Sequence, residues 1–459
     1  MRSIAFFLLS ALCFAQAPSS NNADWIWSAR YVVTGEPGRV IENGAIAVLG
    51  ARIVGVGTRA EIDERFKAAN RLDQPNAILA PGLVNTHTHA AMSLFRGIAN
   101  DRKLEDWLQN FIFPAEAKNV DREFVRWGTR LALLEMMLSG TTTFTDMYYF
   151  EDTVAEETRA AGMRGVLGQT VIGFPAPDFK TSAEQLAGAE AFLKRFRDND
   201  LITPAVAPHA IYTTPDETLQ AARALADKYQ KPLLIHLSET KAEFDEAMQK
   251  RKMTPTETLS NLGVLSGWTV AAHAVWLTDS DISLLRTSLT GVAHNPSSNM
   301  MLGSGVAPLP KLLASGVPVG LGTDGPAGSN NDFDMFEEMD LAAKLQKVGG
   351  DPTALTAQQA FSMATLEGAR ALGMGSVIGS IEAGKLADVI SVRLEGPRAV
   401  PMYDVYSALV YALKASDVTE VMVNGKLIVR NRAALTLNTG AILTKAEEYR
   451  GRIAASLAK

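Results

Sequence analysis

Cysteine is almost missing: the 459-residue chain has one, Cys13. That excludes a disulfide framework and any zinc site built on thiolates. Histidine is scarce too, with six in the chain, so their positions are informative. No run of Lys and Arg marks a nucleic-acid footprint, and the net charge is −6, so nothing calls for DNA or RNA as a partner. No GxGxxG follows a strand-like run, which leaves a dinucleotide site without support. Past the first residues no apolar stretch is long enough to span a bilayer. Short-period repeats and low-complexity segments are also missing. What is present is ordinary for a globular protein, 47% hydrophobic and 20% charged, and too long for a single small domain.

Residues 1–17 read as an export leader. Met1-Arg2 supplies a positive charge, and Ile4 to Ala15 is an apolar run too short to cross a membrane. Ala15 or Ala17 could end the leader. Ser10-Ala11-Leu12-Cys13 resembles a lipoprotein box, with Leu12 a poor residue before the cysteine. A buried N-terminal strand or an uncleaved anchor are the alternatives. The expectation is a periplasmic or secreted protein that loses Cys13 with its leader and keeps no transmembrane span.

The mature chain divides into three stretches. Residues 18–79 and 376–459 are glycine-rich and strand-like, the second closing with a helix, and they are expected to pair into one small β domain from both chain ends. Residues 80–375 alternate short apolar runs with helical stretches. The runs are AILAPGLVNTHTH, GTTTFTDM, GMRGVLGQTVI, ITPAVAPH, KPLLIHLSE, TVAAHAV, LTGVAHN and VPVGLGTD. Eight runs with helices between them predict an α/β fold, a (β/α)₈ TIM-like barrel, with a doubly wound open sheet as the alternative.

Every histidine closes one of these runs. His87 and His89 end the first, His209 the fourth, His236 the fifth, His273 the sixth and His294 the seventh. In such a barrel the strand ends carry the chemistry. His87 and His89 are two residues apart, so both imidazoles face one side of a strand. With His236 and with Asp324 of Gly322-Thr323-Asp324-Gly325 they make three nitrogens and one carboxylate oxygen, a plausible metal-ligand set with a position left for water.

PGLVNTHTH, HLSET, AAHAVWL, AHNPSSNMMLGSG and GLGTDG resemble the amidohydrolase superfamily. Within it they resemble the S-adenosylhomocysteine and 5′-methylthioadenosine deaminases, relatives of the chlorotriazine hydrolases. The resemblance spans nearly the whole mature chain. It implies one divalent metal on His87, His89, His236 and Asp324, zinc first, with iron or manganese as alternatives. Members with two metals add a carboxylated lysine after the fourth strand; here that strand ends Ala207-Pro208-His209.

The resemblance also implies roles. The ion makes water a usable nucleophile near neutral pH. Asp324 acts as general base, His273 orients the attacking water, and Glu239 delivers a proton to a ring nitrogen of the substrate. Glu239 and Asp324 thereby touch the substrate as well. Glu116 accepts hydrogen bonds from the ribose hydroxyls, Trp107 supplies an apolar wall, and His209 binds a purine ring nitrogen. His294 receives no role. In well-known members an arginine on the third strand holds the carboxylate of the homocysteine tail; here Gln169 stands in its place, and a neutral donor favours small or apolar 5′ groups. The implied activity is a hydrolytic deaminase of an adenine nucleoside such as 5′-methylthioadenosine, adenosine or S-adenosylhomocysteine, acting alone or as a homo-oligomer on a small molecule. The alternatives are a hydrolase of another amino- or chloro-substituted heterocycle, guanine or a triazine, and an exported metal- or ligand-binding protein without activity.

Overall fold

A computed structural model describes residues 21–34 and 38–458. The expected leader and Cys13 lie outside the described residues. The chain opens with four strands, β1 (Asn22–Val33), β2 (Val40–Leu49), β3 (Arg52–Thr58) and β4 (Lys67–Pro81). Eight more follow: β5 (Leu83–Thr88), β6 (Thr141–Tyr148), β7 (Arg164–Val171), β8 (Ile202–Pro208), β9 (Leu233–Leu237), β10 (Thr269–His273), β11 (Gly291–His294) and β12 (Val319–Leu321). The last four are β13 (Val389–Arg393), β14 (Val418–Val423), β15 (Lys426–Arg430) and β16 (Ala433–Ala434).

Strands β5 to β12 close into a parallel barrel, and all eight correspond to the eight apolar runs. Helices lie between them, and several start on a threonine or aspartate whose side chain accepts the first free N–H groups. Asp121, Thr181, Thr254 and Thr278 are examples. The barrel is a packed core rather than a pore: Val84, Met147, Val166, Ala205, Ala207, Leu234, Val270, Ala272 and Ala293 meet inside it.

The remaining strands form one sheet in the order β16-β15-β14-β13-β4-β1-β2-β3. The two chain ends meet where β4 pairs antiparallel with β13, Ala80 opposite Ile390. The first apolar run is split between the two sheets, because β4 ends at Pro81 and β5 begins at Leu83. Gly82 makes the seam, and a Cβ there would lie 2.1 Å from Thr142 Oγ1. The terminal helix Thr439–Leu457 joins the barrel rather than the small sheet. Its buried Ile442, Tyr449 and Ile453 give it one apolar face, and the Tyr449 ring stands edge-on to Phe124 of helix Arg122–Leu138. Among the described residues no helix is long and apolar enough to cross a membrane.

Candidate active site

The polar mouth of the barrel gathers the ends of four strands. β5 carries His87 and leads into His89, β9 carries His236, β10 closes on His273, and Asp324 follows β12. The His87 ring lies 4.9 Å from that of His89, 5.0 Å from His236 and 5.5 Å from His273, centroid to centroid. His87 Nε2 and His89 Nε2 each stand 3.3 Å from Asp324 Oδ1. Two overlapping sets, His87–His89–Asp324 and His87–His236–His273, each bring three donor atoms within 4.8 Å of one another.

This donor set fits a divalent cation. His87 Nε2 is buried and makes no hydrogen bond, which is costly unless something positive completes it. His89 Nδ1 lies 2.7 Å from the Met147 carbonyl and His236 Nδ1 lies 2.8 Å from the His209 carbonyl. In the neutral ring each of those nitrogens carries the proton, so Nε2 is the atom whose lone pair a cation in the mouth would take, displacing any second proton there. Burial holds His87 down to about 4 and His236 well below the usual imidazole range, so both are neutral, as a ligand must be. Burial works against charge on His89 as well, yet its hydrogen bond to Asp324 and that carboxylate's charge lift it to about 9. The mouth favours positive charge.

The backbone is bent to make this arrangement. Asp324 has φ of 62°, His273 74° and Ser238 49°, in the left-handed region that side chains other than glycine avoid. Surrounding bonds hold them there. Asp324 N–H donates to the His87 carbonyl at 3.0 Å, and the Ser238 carbonyl accepts from both Val275 and Trp276 N–H at 3.0 Å. Gly322 lets β12 come close, since a Cβ there would lie 2.8 Å from His87 N.

Glu239 follows Ser238 and is buried. Burial, and then the charge of Asp324, lift its carboxyl to about 8, so it keeps a proton at neutral pH. Its Oε2 lies 3.8 Å from His273 Nε2. The buried Glu243 carboxylate accepts Ser238 N–H at 3.2 Å and Glu239 N–H at 2.8 Å, fixing the bend that presents Glu239. A buried acid beside a buried base-type carboxylate is an arrangement for moving protons.

A cleft enclosing about 560 Å³ with its open mouth leads from these groups outward. Its polar lining is His89, Glu116, His209, His236, Glu239, His273, Asp324, Thr170 and three tyrosines, Tyr148, Tyr149 and Tyr212. Trp107, Leu104, Leu108, Ile112, Phe113 and Leu302 form much of the apolar wall. Trp107 begins a wide helical turn, Trp107–Ile112, and its Nε1 donates to the Ala327 carbonyl at 2.9 Å. Glu116 accepts the Tyr148 hydroxyl at 2.7 Å, and burial lifts its carboxyl to about 7. His209 Nδ1 lies 2.8 Å from Thr213 Oγ1.

Gln169 does not reach the cleft, which corrects the expectation that it contacts substrate. Along β7, Val166 and Gly168 face the barrel interior, where a Cβ at Gly168 would meet Ala207 and Leu234. Strand alternation therefore turns Leu167, Gln169 and Val171 toward the helices. Gln169 Nε2 donates to Asp178 Oδ2 at 2.8 Å there. Lys180 is absent from the lining too; its ammonium donates to the Ala176 carbonyl at 2.7 Å. His294 lies buried outside the cleft, and neither ring nitrogen has a hydrogen-bond partner.

Sequence reasoning missed Tyr148 and Tyr149, Glu243, and the NPSSN turn that touches His273 and Asp324. Tyr148 ends β6 and Tyr149 follows it, so strand-end position was a usable signal. Glu243 lies four residues beyond Glu239 at a helix start, where nothing in the pattern distinguishes it from a solvated carboxylate.

Comparison with known proteins agrees with this geometry. The Amidohydrolase family matches residues 78–428. A 5-methylthioadenosine/S-adenosylhomocysteine deaminase of Syntrophus aciditrophicus is 46% identical over 91% of this chain and 94% of its own length. A 5′-deoxyadenosine deaminase of Methanocaldococcus jannaschii is 42% identical over 84% of this chain and 91% of its own. The crystal structure of an adenosine deaminase from Xanthomonas campestris with bound zinc superposes with a TM-score of 0.92 at 40% identity, covering 95% of this chain and 99% of that one. An atrazine chlorohydrolase from Arthrobacter aurescens, at 23% identity and a TM-score of 0.86, shares the fold over 93% of this chain and 100% of its own.

Proposed function

The chain belongs to the amidohydrolase family, and from that membership we propose that it is a zinc-dependent deaminase of adenine nucleosides with an uncharged 5′ group. The observation that carries the reading is the pairing of ends in one cleft. Protonated Glu239 and ionised Asp324 stand at one end, and Glu116, held by Tyr148, lines the same cleft.

His87, His89, His236 and Asp324 would hold the metal. Bound there, it supplies Lewis-acid charge that makes water nucleophilic near neutral pH. Asp324 takes a proton from the attacking water. His273 fixes that water's direction. Glu239 gives its proton to the adenine nitrogen beside the carbon under attack, which draws electrons away from that carbon. The proton gathered by Asp324 then passes to the amino group, which leaves as ammonia, while the proton left on the added hydroxyl returns to Glu239 as the ring carbonyl forms. Glu116 accepts hydrogen bonds from the sugar hydroxyls, and Trp107 and its apolar neighbours exclude water from the ring.

An ammonia-release assay of the purified protein decides the matter. Adenosine, 5′-deoxyadenosine and 5′-methylthioadenosine should be turned over, and guanine and triazines should not. Turnover of a triazine or guanine in preference to every nucleoside would overturn the reading. The apolar leader further supports export. A C-terminally tagged full-length protein should fractionate outside the cytoplasm, and retention inside would refute that part.

A further inference from the structure

The reaction above leaves the His294-Asn295-Pro296-Ser297-Ser298-Asn299 stretch without a task. Yet two adjacent side chains of its short helix, Pro296–Met301, reach two different reacting groups. Ser298 Oγ donates to Asp324 Oδ2 at 2.6 Å. Asn299 Oδ1 stands 3.0 Å from His273 Nδ1. All four residues are buried.

The turn that carries them is tied down. Glu338 accepts Ser297 N–H on Oε2 at 3.1 Å and the Asn330 amide on Oε1 at 3.0 Å. The same Asn330 amide donates to the Thr323 carbonyl at 2.9 Å, next to Asp324. Glu338 thus locks the turn to the loop that bears the base.

Each contact has a chemical consequence. Asp324 Oδ1 accepts Gly325 N–H at 2.7 Å and faces His87 and His89. With Oδ2 held by Ser298, the carboxylate cannot swing Oδ1 away from the imidazoles. His273 Nδ1 has two neighbours that ask for opposite states: Asn299 Oδ1 requires a proton on it, and Asn295 Nδ2, at 3.2 Å, requires a bare lone pair. The oxygen is nearer. Asn295 Oδ1 has no partner, so its amide turned over offers the same proton a second acceptor. A proton on Nδ1 leaves the Nε2 lone pair toward the cleft. There it accepts a water O–H and leaves the water's own lone pair free to attack. An N–H at Nε2 would instead occupy that lone pair.

We propose that Ser298 and Asn299 are positioning residues for the hydrolytic step. Asn299 fixes His273 as the Nδ1–H tautomer, and Ser298 fixes Asp324 with Oδ1 toward His87 and His89. The proposal rests on the reading that Asp324 and His273 handle the attacking water.

The first test needs no substrate. In zinc-loaded protein with ¹⁵N-labelled histidine, long-range ¹H–¹⁵N correlation reads which nitrogen of His273 is protonated, with His273→Gln providing the assignment. Protonated Nδ1 and bare Nε2 are expected in the wild type, with loss of that preference in Asn299→Ala. A proton on Nε2 in the wild type overturns the Asn299 role, whether or not any variant folds. The second test is kinetic. Ser298→Ala and Asn299→Ala should each lower kcat by about 10–100-fold, with KM within about threefold and zinc content retained. Should Ser298→Ala fail to fold, Ser298→Cys keeps the volume and weakens the donor. Variants with kcat within about twofold of wild type overturn the proposal. If no nucleoside is deaminated, the functional reading falls, while the tautomer measurement still decides this one.

Discussion

Arg164 and Asp388 form a buried two-point ion pair across the seam between the barrel and the small sheet. Arg164 Nε lies 2.9 Å from Asp388 Oδ2 and Nη2 lies 3.2 Å from Oδ1, with side chains only 3% and 2% exposed. Arg164 begins β7, and Asp388 immediately precedes β13. The other hydrogen-bonding capacity of the pair is also used. Arg164 Nη1 donates to the Asp200 carbonyl at 3.0 Å, and Asp388 accepts Asn424 N–H at 2.7 Å. One charge pair thus ties the middle of the chain to its C-terminal strands.

Breaking that pair on one side leaves a buried charge without its partner. Arg164→Ala or Asp388→Ala should destabilise the protein by about 3–5 kcal/mol, read as a lower denaturant midpoint. Replacing both by apolar residues of similar size should cost less than either single change. If the double variant is as unstable as the sum of the singles, the pair is not the reason the seam holds.

Metal removal should separate the ligands from their neighbours. The purified protein is expected to carry about one equivalent of a divalent metal, because no lysine follows β8 to support a second. His87→Ala and Asp324→Ala should lose it. His209→Ala should keep it, since His209 belongs to neither set of converging donor atoms and its Nδ1 engages Thr213 Oγ1. Chelation should lower Tm, because the ion binds only the folded site. Two equivalents by elemental analysis would contradict this account.

Glu239→Gln copies the protonated acid in shape but has no acidic proton to give. It should retain metal and Tm while kcat falls by about 10²–10⁴-fold. An unchanged kcat removes Glu239 from the proton path.

Glu338 should make stability depend on pH. Burial lifts its carboxyl to about 8 from the ordinary 4.5. A folded-state value above the unfolded one gives stability that is complete below 4.5 and lost as pH rises through 8. Glu338→Gln has no such loss, but its amide N–H₂ meets one of two donors, Ser297 N–H or the Asn330 amide. The variant should therefore be less stable than wild type at low pH, with the deficit shrinking toward alkaline pH. A deficit that stays constant across that range would show that Glu338 remains ionised in the fold.

The barrel was legible in the sequence because eight apolar runs with polar ends repeat between capped helices. The histidines were legible for the same reason: each closes a strand, as His273 and His294 do. What strand ends cannot reveal is the side to which a residue turns. His294 ends its strand as His273 does, yet lies buried outside the cleft. Gln169 failed in the same way, one residue from Thr170, which does line the cleft. The seam at Gly82 was hidden because AILAPGLVNTHTH is apolar on both sides of it, and only pairing with β13 separates the halves. The Ser298 and Asn299 contacts join residues 26 positions away, beyond any local pattern.

The placement of Gln169 changes how the 5′ group should be read. No lysine or arginine lines the cleft among the described residues, whereas Glu116, Glu239 and Asp324 do. A tail carboxylate entering it would leave water for an apolar wall and acidic neighbours, with no charge-assisted partner. We expect kcat/KM for 5′-deoxyadenosine and 5′-methylthioadenosine to exceed that for S-adenosylhomocysteine by about tenfold or more, the loss of roughly one such bond. An arginine at position 169 should not repair this. Its guanidinium would face the helices, where Asp178 already accepts the Gln169 amide at 2.8 Å, and the two charges would pair there. Gln169→Arg should therefore leave the ratio of kcat/KM for 5′-methylthioadenosine to that for S-adenosylhomocysteine unchanged within about twofold. If the variant selectively gains S-adenosylhomocysteine turnover, position 169 reaches the substrate after all and β7 must turn it inward on binding. If S-adenosylhomocysteine is already the best wild-type substrate, a cation from outside the cleft has to close over its tail, and the uncharged-tail preference is wrong.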